Sequence, residues 1–208
     1  MTRPNPDVPG MFDALDGPDQ EAVPLDTPGV REQLAQAAAL REEMYARSHS
    51  GPPMRVFVDT EFTDFIDCDL ISIGLAADDG REFYGERSDY DDASCSQFVR
   101  AAVLSQLGQY PGRVFTRDTL RAALVAWLDQ FAGEAKRYLC FDNGGDWELL
   151  CDLLDGSPAG WLACHVGQLL DARRQEEYYR DHRGRHHALV DARANRYATA
   201  DFDASGND

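Results

Sequence analysis

The spacing of apolar residues changes period along the chain, and each change marks an element. Arg55 to Asp59 (RVFVD) is β-rich and short, and predicts a strand. Leu70 to Ala77 (LISIGLAA) is a nearly continuous apolar run, as expected of a strand buried on both faces. Asp78-Asp79-Gly80 is a hairpin turn signal, and Arg81 to Glu86 (REFYGE) returns as a third strand. The period then lengthens. Gln97 to Leu107 and Thr119 to Phe131 read as amphipathic helices; in the second, Leu120, Ala123, Leu124, Trp127, Leu128 and Phe131 keep helical spacing. Arg137 to Phe141 (RYLCF) predicts a fourth strand. Asp146 to Leu154 (DWELLCDLL) predicts a helix ended by Gly156 and Pro158, Trp161 to His165 a short fifth strand, and His186 to Tyr197 contains a last helix. A meander of strands followed by alternating helices and strands predicts an α/β domain with a mixed sheet, spanning residues 54–198.

The flanks read differently. Residues 1 to about 27 are rich in Pro, Asp and Gly without helical or strand period, which predicts disorder. Thr27-Pro28 is a helix-start signal, and Val30 to Arg47 is rich in strong helix formers, with Leu34, Ala37, Leu40 and Met44 along one stripe. That helix, 30–47, would either dock on the domain or serve as an oligomerisation arm. Gly51-Pro52-Pro53 ends it, so residues 1–53 form an N-terminal segment. Residues 199–208 are expected to be an acidic, disordered tail.

Composition narrows the class. With 43 % hydrophobic and 27 % charged residues, the chain has the balance of a soluble globular protein. No apolar run reaches the ~18 residues of a membrane helix, and no apolar leader follows Met1, so a cytoplasmic protein is expected. Five widely spaced cysteines (Cys68, Cys95, Cys140, Cys151, Cys164) form no C-x-x-C pair and are expected to be reduced. The net charge of −17 argues against a nonspecific nucleic-acid binder, but the charge is uneven. Arg173 to Arg196 holds seven arginines against four acids, a local cluster that could hold phosphate.

The candidate chemistry lies in carboxylates. Asp59 and Glu61, at i and i+2 on the first strand, point to one face, where they repel unless a cation joins them. Oxygen-rich sites of this kind suit Mg²⁺ or Mn²⁺. Asp146 opens a helix after the fourth strand. His186 precedes the last helix and Asp191 lies on it, so the two can converge. Each of these residues, taken singly, is better served by a solvated surface or first-turn role than by a catalytic one.

Together their order resembles the DEDDh family of 3′–5′ exonucleases. The matching stretches are VFVDTEF (Val56 to Phe62), DWELL (Asp146 to Leu150) and HHALVDA (His186 to Ala192), and Leu70 to Glu86 is similar to the family's second and third strands. Within the family the chain is most similar to small bacterial exoribonucleases, alongside ribonuclease T and oligoribonuclease. The likeness runs from Arg55 to about Tyr197. It implies a ribonuclease H-like mixed β-sheet flanked by α-helices, and two divalent metal ions, Mg²⁺ or Mn²⁺, held by Asp59, Glu61, Asp146 and Asp191, with His186 as general base. Asp142 remains an alternative for the middle acid, and His187 or His182 for the histidine, although only His186 has the family's spacing to Asp191. Thr60, Phe62, Phe65, Arg185 and Arg193 are candidate substrate contacts, the two phenylalanines by stacking on the terminal base. The implied partner is the 3′ end of single-stranded RNA or an overhang, or else DNA, with nucleoside 5′-monophosphates released, no membrane, and a homodimer. A noncatalytic nucleic-acid-binding module of the same fold is the other reading. An aspartyl-phosphate hydrolase fits less well, because Glu61 stands where a second Asp is usual and Lys136 is the sole lysine.

Overall fold

A computed structural model describes residues 28–49, 52–66 and 68–199. The chain divides into two units, Met1–Ala46 and Arg47–Asp208. The described residues of the first belong to helix α1 (Pro28–His49), which contains the 30–47 segment read as helical. The disorder expected for residues 1–27 and most of the 199–208 tail fall outside the described residues.

The second unit is built on one sheet of β1 (Met54–Phe62), β2 (Leu70–Ala77), β3 (Glu82–Arg87), β4 (Val114–Phe115), β5 (Arg137–Phe141) and β6 (Leu162–His165). Their spatial order is β4-β3-β2-β1-β5-β6. β1, β2 and β3 pair antiparallel, while β5 runs parallel to β1, β6 to β5 and β4 to β3. The expected α/β class and mixed sheet are therefore present, in an arrangement compatible with a ribonuclease H-like fold. The hairpin turn closes at Gly80, where φ is +89° and a side chain would be strained.

Helices α2 (Gln97–Ala102), α3 (Arg117–Leu128), α4 (Gly144–Leu154), α5 (Ala172–His182) and α6 (Ala188–Ala198) complete the unit. The sheet pleat separates two cores. Val56 and Val58 of β1 join Leu75, Phe83, Leu120, Leu124, Phe131, Leu150 and Leu153, beneath α3 and α4. The intervening Phe57 joins Cys140 and Val166 on the other face, where α6 packs on β1 and β2. Gly74 of β2 makes that packing possible. A Cβ there would lie 2.3 Å from the backbone nitrogen of Leu189, so only glycine lets α6 come so close.

Several element boundaries depart from the sequence pattern. The helix read over Gln97 to Leu107 ends at Ala102, and a separate 3₁₀ turn covers Leu104–Gln106. The helix read from Thr119 begins at Arg117, because Thr116 is the N-cap and Thr119 the reciprocal capping residue three positions on. It gives way to a 3₁₀ turn at Asp129–Phe131. The helix read from Asp146 starts at Gly144, capped by Asn143. β4 and α5 are additional elements. β4 has too few residues for an alternating pattern, and α5 is mostly polar and has no buried residue, so neither carries an apolar signal.

Candidate active site

β1 extends past Asp59 to Phe62, with a register irregularity between Glu61 and Phe62. Its pleat puts Asp59 and Glu61 on the α6 side, while Thr60 faces α4. There the Thr60 backbone N–H and hydroxyl both donate to Asp146 Oδ1, at 3.0 and 2.6 Å. Asp146 sits in the first turn of α4, where a carboxylate is favoured by the helix dipole. One strand thereby presents two acids and anchors a third.

The remaining acids come from the ends of β5 and α6. Asp142 directly follows β5. Its Oδ1 accepts from Asn195 Nδ2 at 3.0 Å, and Asn195 Oδ1 accepts from Gln175 at 2.8 Å. Asp191 Oδ2 accepts from the backbone N–H of His186 at 2.9 Å. The His186 loop is tightly wound. Arg183, Gly184 and His186 all have positive φ (57°, 82° and 67°). Gln106 Nε2 faces the carbonyl oxygens of Arg185 and His186 at 2.7 and 2.9 Å and holds this turn in place.

The result is a cleft of about 690 Å³ lined by acids, His186 and aromatic side chains. On its floor are two groups of side chains whose ligand atoms lie within 4.8 Å of one another: Glu61, His186 and Asp191, and Asp59, Asp142 and Asp146. Burial and mutual repulsion push the acids up. Asp59 is raised well above its ordinary value, first by burial and then by Asp146, Asp191 and Glu61. Burial followed by Asp191 and Asp146 takes Glu61 to about 8. Asp146 reaches about 7, mainly through burial, against the lowering effect of Thr60. Asp191 reaches about 6, again by burial, with Tyr179 and His186 opposing it. His186 is lowered, by burial and then by Arg185, which favours a neutral ring.

This donor set suits divalent cations. Asp191 Oδ1 is buried and has no hydrogen-bond partner among the described residues, a costly state for a carboxylate oxygen unless a cation faces it. Carboxylate oxygens from five acids are the kind of donor that hard divalent cations take.

The other candidates are placed as follows. Asp142 and Asp146, weighed as alternatives, both enter the cleft. Of the histidines, His186 lines it. His187 is buried against Tyr84, their rings stacked at 4.5 Å, and His182 is exposed and stacked on Tyr178 at 4.1 Å. Phe62 packs against the core and meets Phe65 edge-to-face at 5.1 Å, whereas Phe65 is 83 % exposed on the cleft wall. Arg185 is outside the lining, paired with Glu176 at 2.5 Å and lying over the Tyr179 ring at 4.4 Å. Arg193 is also outside, gripped by both oxygens of Glu82 at 2.8 and 2.5 Å. Thr60 positions Asp146. Phe98 has no signal in the sequence: it is 58 % exposed in the cleft wall and edge-on to His186 at 5.0 Å. Gln106 and Asn195 also have none, as isolated amides whose partners are distant in the chain.

No family model matches the chain. Over 77 residues it is 38 % identical to a 3′–5′ exoribonuclease of Mycobacterium tuberculosis, found in two strains. The matched stretch covers 36 % of this chain and 46 % of the relative, so the chain spans about half the length of the curated relatives it matches. Part of this chain is thus similar to a 3′–5′ exoribonuclease, and its fold places an acidic, histidine-bearing cleft at the end of β1.

Proposed function

We propose that the protein is a metal-dependent 3′–5′ exoribonuclease of the DEDDh type. The observation that carries this reading is the convergence of Asp59, Glu61, Asp142, Asp146, Asp191 and His186 in one cleft, with Asp191 Oδ1 buried and unpartnered. The partial similarity to a named exoribonuclease favours RNA over DNA.

Asp59, Glu61 and Asp191 would hold one divalent ion, and Asp59 with Asp146, aided by Asp142, the other. When bound, such ions supply positive charge that stabilises a phosphodiester undergoing in-line displacement. The chain's own groups do the rest. His186, neutral near pH 7 because burial lowers it, takes a proton from the attacking water. Water attacks phosphorus, the bond to the 3′ oxygen of the preceding nucleotide breaks, that oxygen takes a proton from solvent to become a 3′-hydroxyl, and a nucleoside 5′-monophosphate leaves. Phe65 and Phe98, both exposed in the cleft wall, offer faces on which an unpaired terminal base can stack. The acids otherwise repel phosphate, which makes turnover dependent on the cations.

A 5′-labelled single-stranded RNA, incubated with Mg²⁺, Mn²⁺ or chelator beside a matched DNA, tests the reading. The expected result is a metal-dependent ladder shortening from the 3′ end, faster on RNA. RNA left intact under every metal, but still bound, would overturn it in favour of a noncatalytic module.

A further inference from the structure

On the other side of the His186 loop lies a second hollow of about 440 Å³, distinct from the acidic cleft. Its lining includes Tyr110, Tyr178, His182, Arg183, His187 and Arg193. No aspartate or glutamate lines it among the described residues, although the chain as a whole carries −17. Arg183 is exposed, and no ion pair engages it among the described residues. Arg193 is already neutralised by Glu82.

His187 supplies a separate observation. It is only 3 % exposed, and both ring nitrogens are buried without a hydrogen-bond partner among the described residues. A neutral imidazole offers one donor and one acceptor, and burying both unmatched is costly. The ring cannot turn away to find partners, since Tyr84 stacks on it at 4.5 Å and Tyr110 leans on it at 5.3 Å. The hollow thus combines a free guanidinium, an unmatched imidazole and aromatic walls in Tyr110 and Tyr178. A phosphate suits the first, a base edge the second and a planar ring the third.

We propose that this hollow binds a nucleoside 5′-monophosphate, with the phosphate on Arg183 and the base against the tyrosines beside His187. Binding here needs no metal and does not rest on the proposed reaction. The hollow shares Gly184 and Gln106 with the strained turn that presents His186, so its occupancy would be felt by the acidic cleft.

The full chain, kept in chelator so that the acidic cleft cannot hold nucleotide through cations, is titrated with adenosine 5′-monophosphate. Imidazole ¹H–¹⁵N correlations and calorimetry report binding. The expected result is saturable binding that shifts the His187 ring signals, identified by their loss in His187→Gln. Adenosine alone and inorganic phosphate alone should bind more weakly. Arg183→Ser should weaken the mononucleotide at least about tenfold, as loss of a charge-assisted pair requires, while Asp59→Asn leaves it unchanged. No saturable binding in chelator would overturn the proposal. So would binding that Asp59→Asn abolishes and Arg183→Ser spares. A short RNA that shifts the His187 signals where the mononucleotide does not would also overturn it, and would assign the hollow to an RNA strand. None of these outcomes depends on whether the acidic cleft hydrolyses RNA.

Discussion

A carboxylate in the acidic cleft is unfavourable by itself and useful only in company. Asp59, Glu61, Asp146 and Asp191 are all raised by burial, so ionising each costs more in the metal-free protein than in the unfolded chain. A group whose folded value lies above its unfolded one contributes stability below the unfolded value and loses it as pH rises through the folded one. For Glu61 that window runs from its ordinary 4.5 to about 8. For Asp191 it runs from 3.8 to about 6. The metal-free protein should therefore melt lower at pH 8.5 than at pH 5. Mn²⁺ should restore the loss, and Glu61→Gln should flatten the dependence. A melting temperature that rises with pH in chelator would contradict this account. On activity, Asp59→Asn and Asp191→Asn should each cut RNA turnover by at least about a hundredfold, the scale of losing a group that stabilises developing charge. Circular dichroism should stay native for both. Undiminished turnover by either variant would remove that residue from the site.

Elements act on the site mainly through how closely they approach. Helix α6 brings Asp191 to β1 only because Gly74 leaves room for the Leu189 backbone. Gly74→Ala forces backbone atoms apart and should destabilise the fold by about 1–3 kcal/mol, the usual cost of overpacking. It should also weaken Mn²⁺ binding, because Asp191 moves away from Glu61. A variant that melts and binds Mn²⁺ like the parent would show that α6 can shift freely. The 3₁₀ turn that follows α2 matters in a different way: its Gln106 donates to the carbonyls of Arg185 and His186, and His186 has a positive φ that non-glycine residues rarely adopt. Gln106→Leu should lower kcat about tenfold, consistent with misplacing one proton acceptor, while Mn²⁺ affinity stays within twofold of the parent. Loss of both together would mean that Gln106 supports the acidic floor as well as His186.

At the scale of the whole molecule, charge bears on how the proposed RNA substrate would arrive. The net charge of −17 repels RNA in general, and among the described residues four of the seven arginines between positions 173 and 196 are held in ion pairs, while Arg173, Arg174 and Arg183 are not. Arg185 is tied to Glu176, Arg193 to Glu82, and Arg196 to the Ala77 carbonyl and Glu82. No arginine or lysine lines the acidic cleft among the described residues. The logarithm of kcat/KM on single-stranded RNA should fall with the logarithm of monovalent salt at a slope no steeper than about −1.4, equivalent to two neutralised phosphates. A steeper slope would mean that those ion pairs open to receive RNA. Among the described residues no helix is long and apolar enough to cross a membrane.

The strand meander, the alternation that follows it and the i, i+2 pairing of Asp59 with Glu61 are legible in the order of residues alone. Those features depend on local period, and period survives in one dimension. The order of residues also marks His186 and Asp191, whose spacing is local to the start of one helix. Tertiary structure decided the rest. Whether Asp142 or Asp146 enters the cleft could not be read from their neighbours, and the fold brings in both, because the end of β5 and the first turn of α4 converge on β1. Arg193 has the charge of a phosphate ligand, yet a partner 111 residues away in the chain, Glu82, takes it up. Phe98 and Gln106 carry no local signal at all; their relation to His186 exists only once α2, the 3₁₀ turn after it and the loop before α6 come together in the fold. Contacts distant along the chain follow from how sheet and helices pack, and that packing rests on surfaces that no short window of sequence contains.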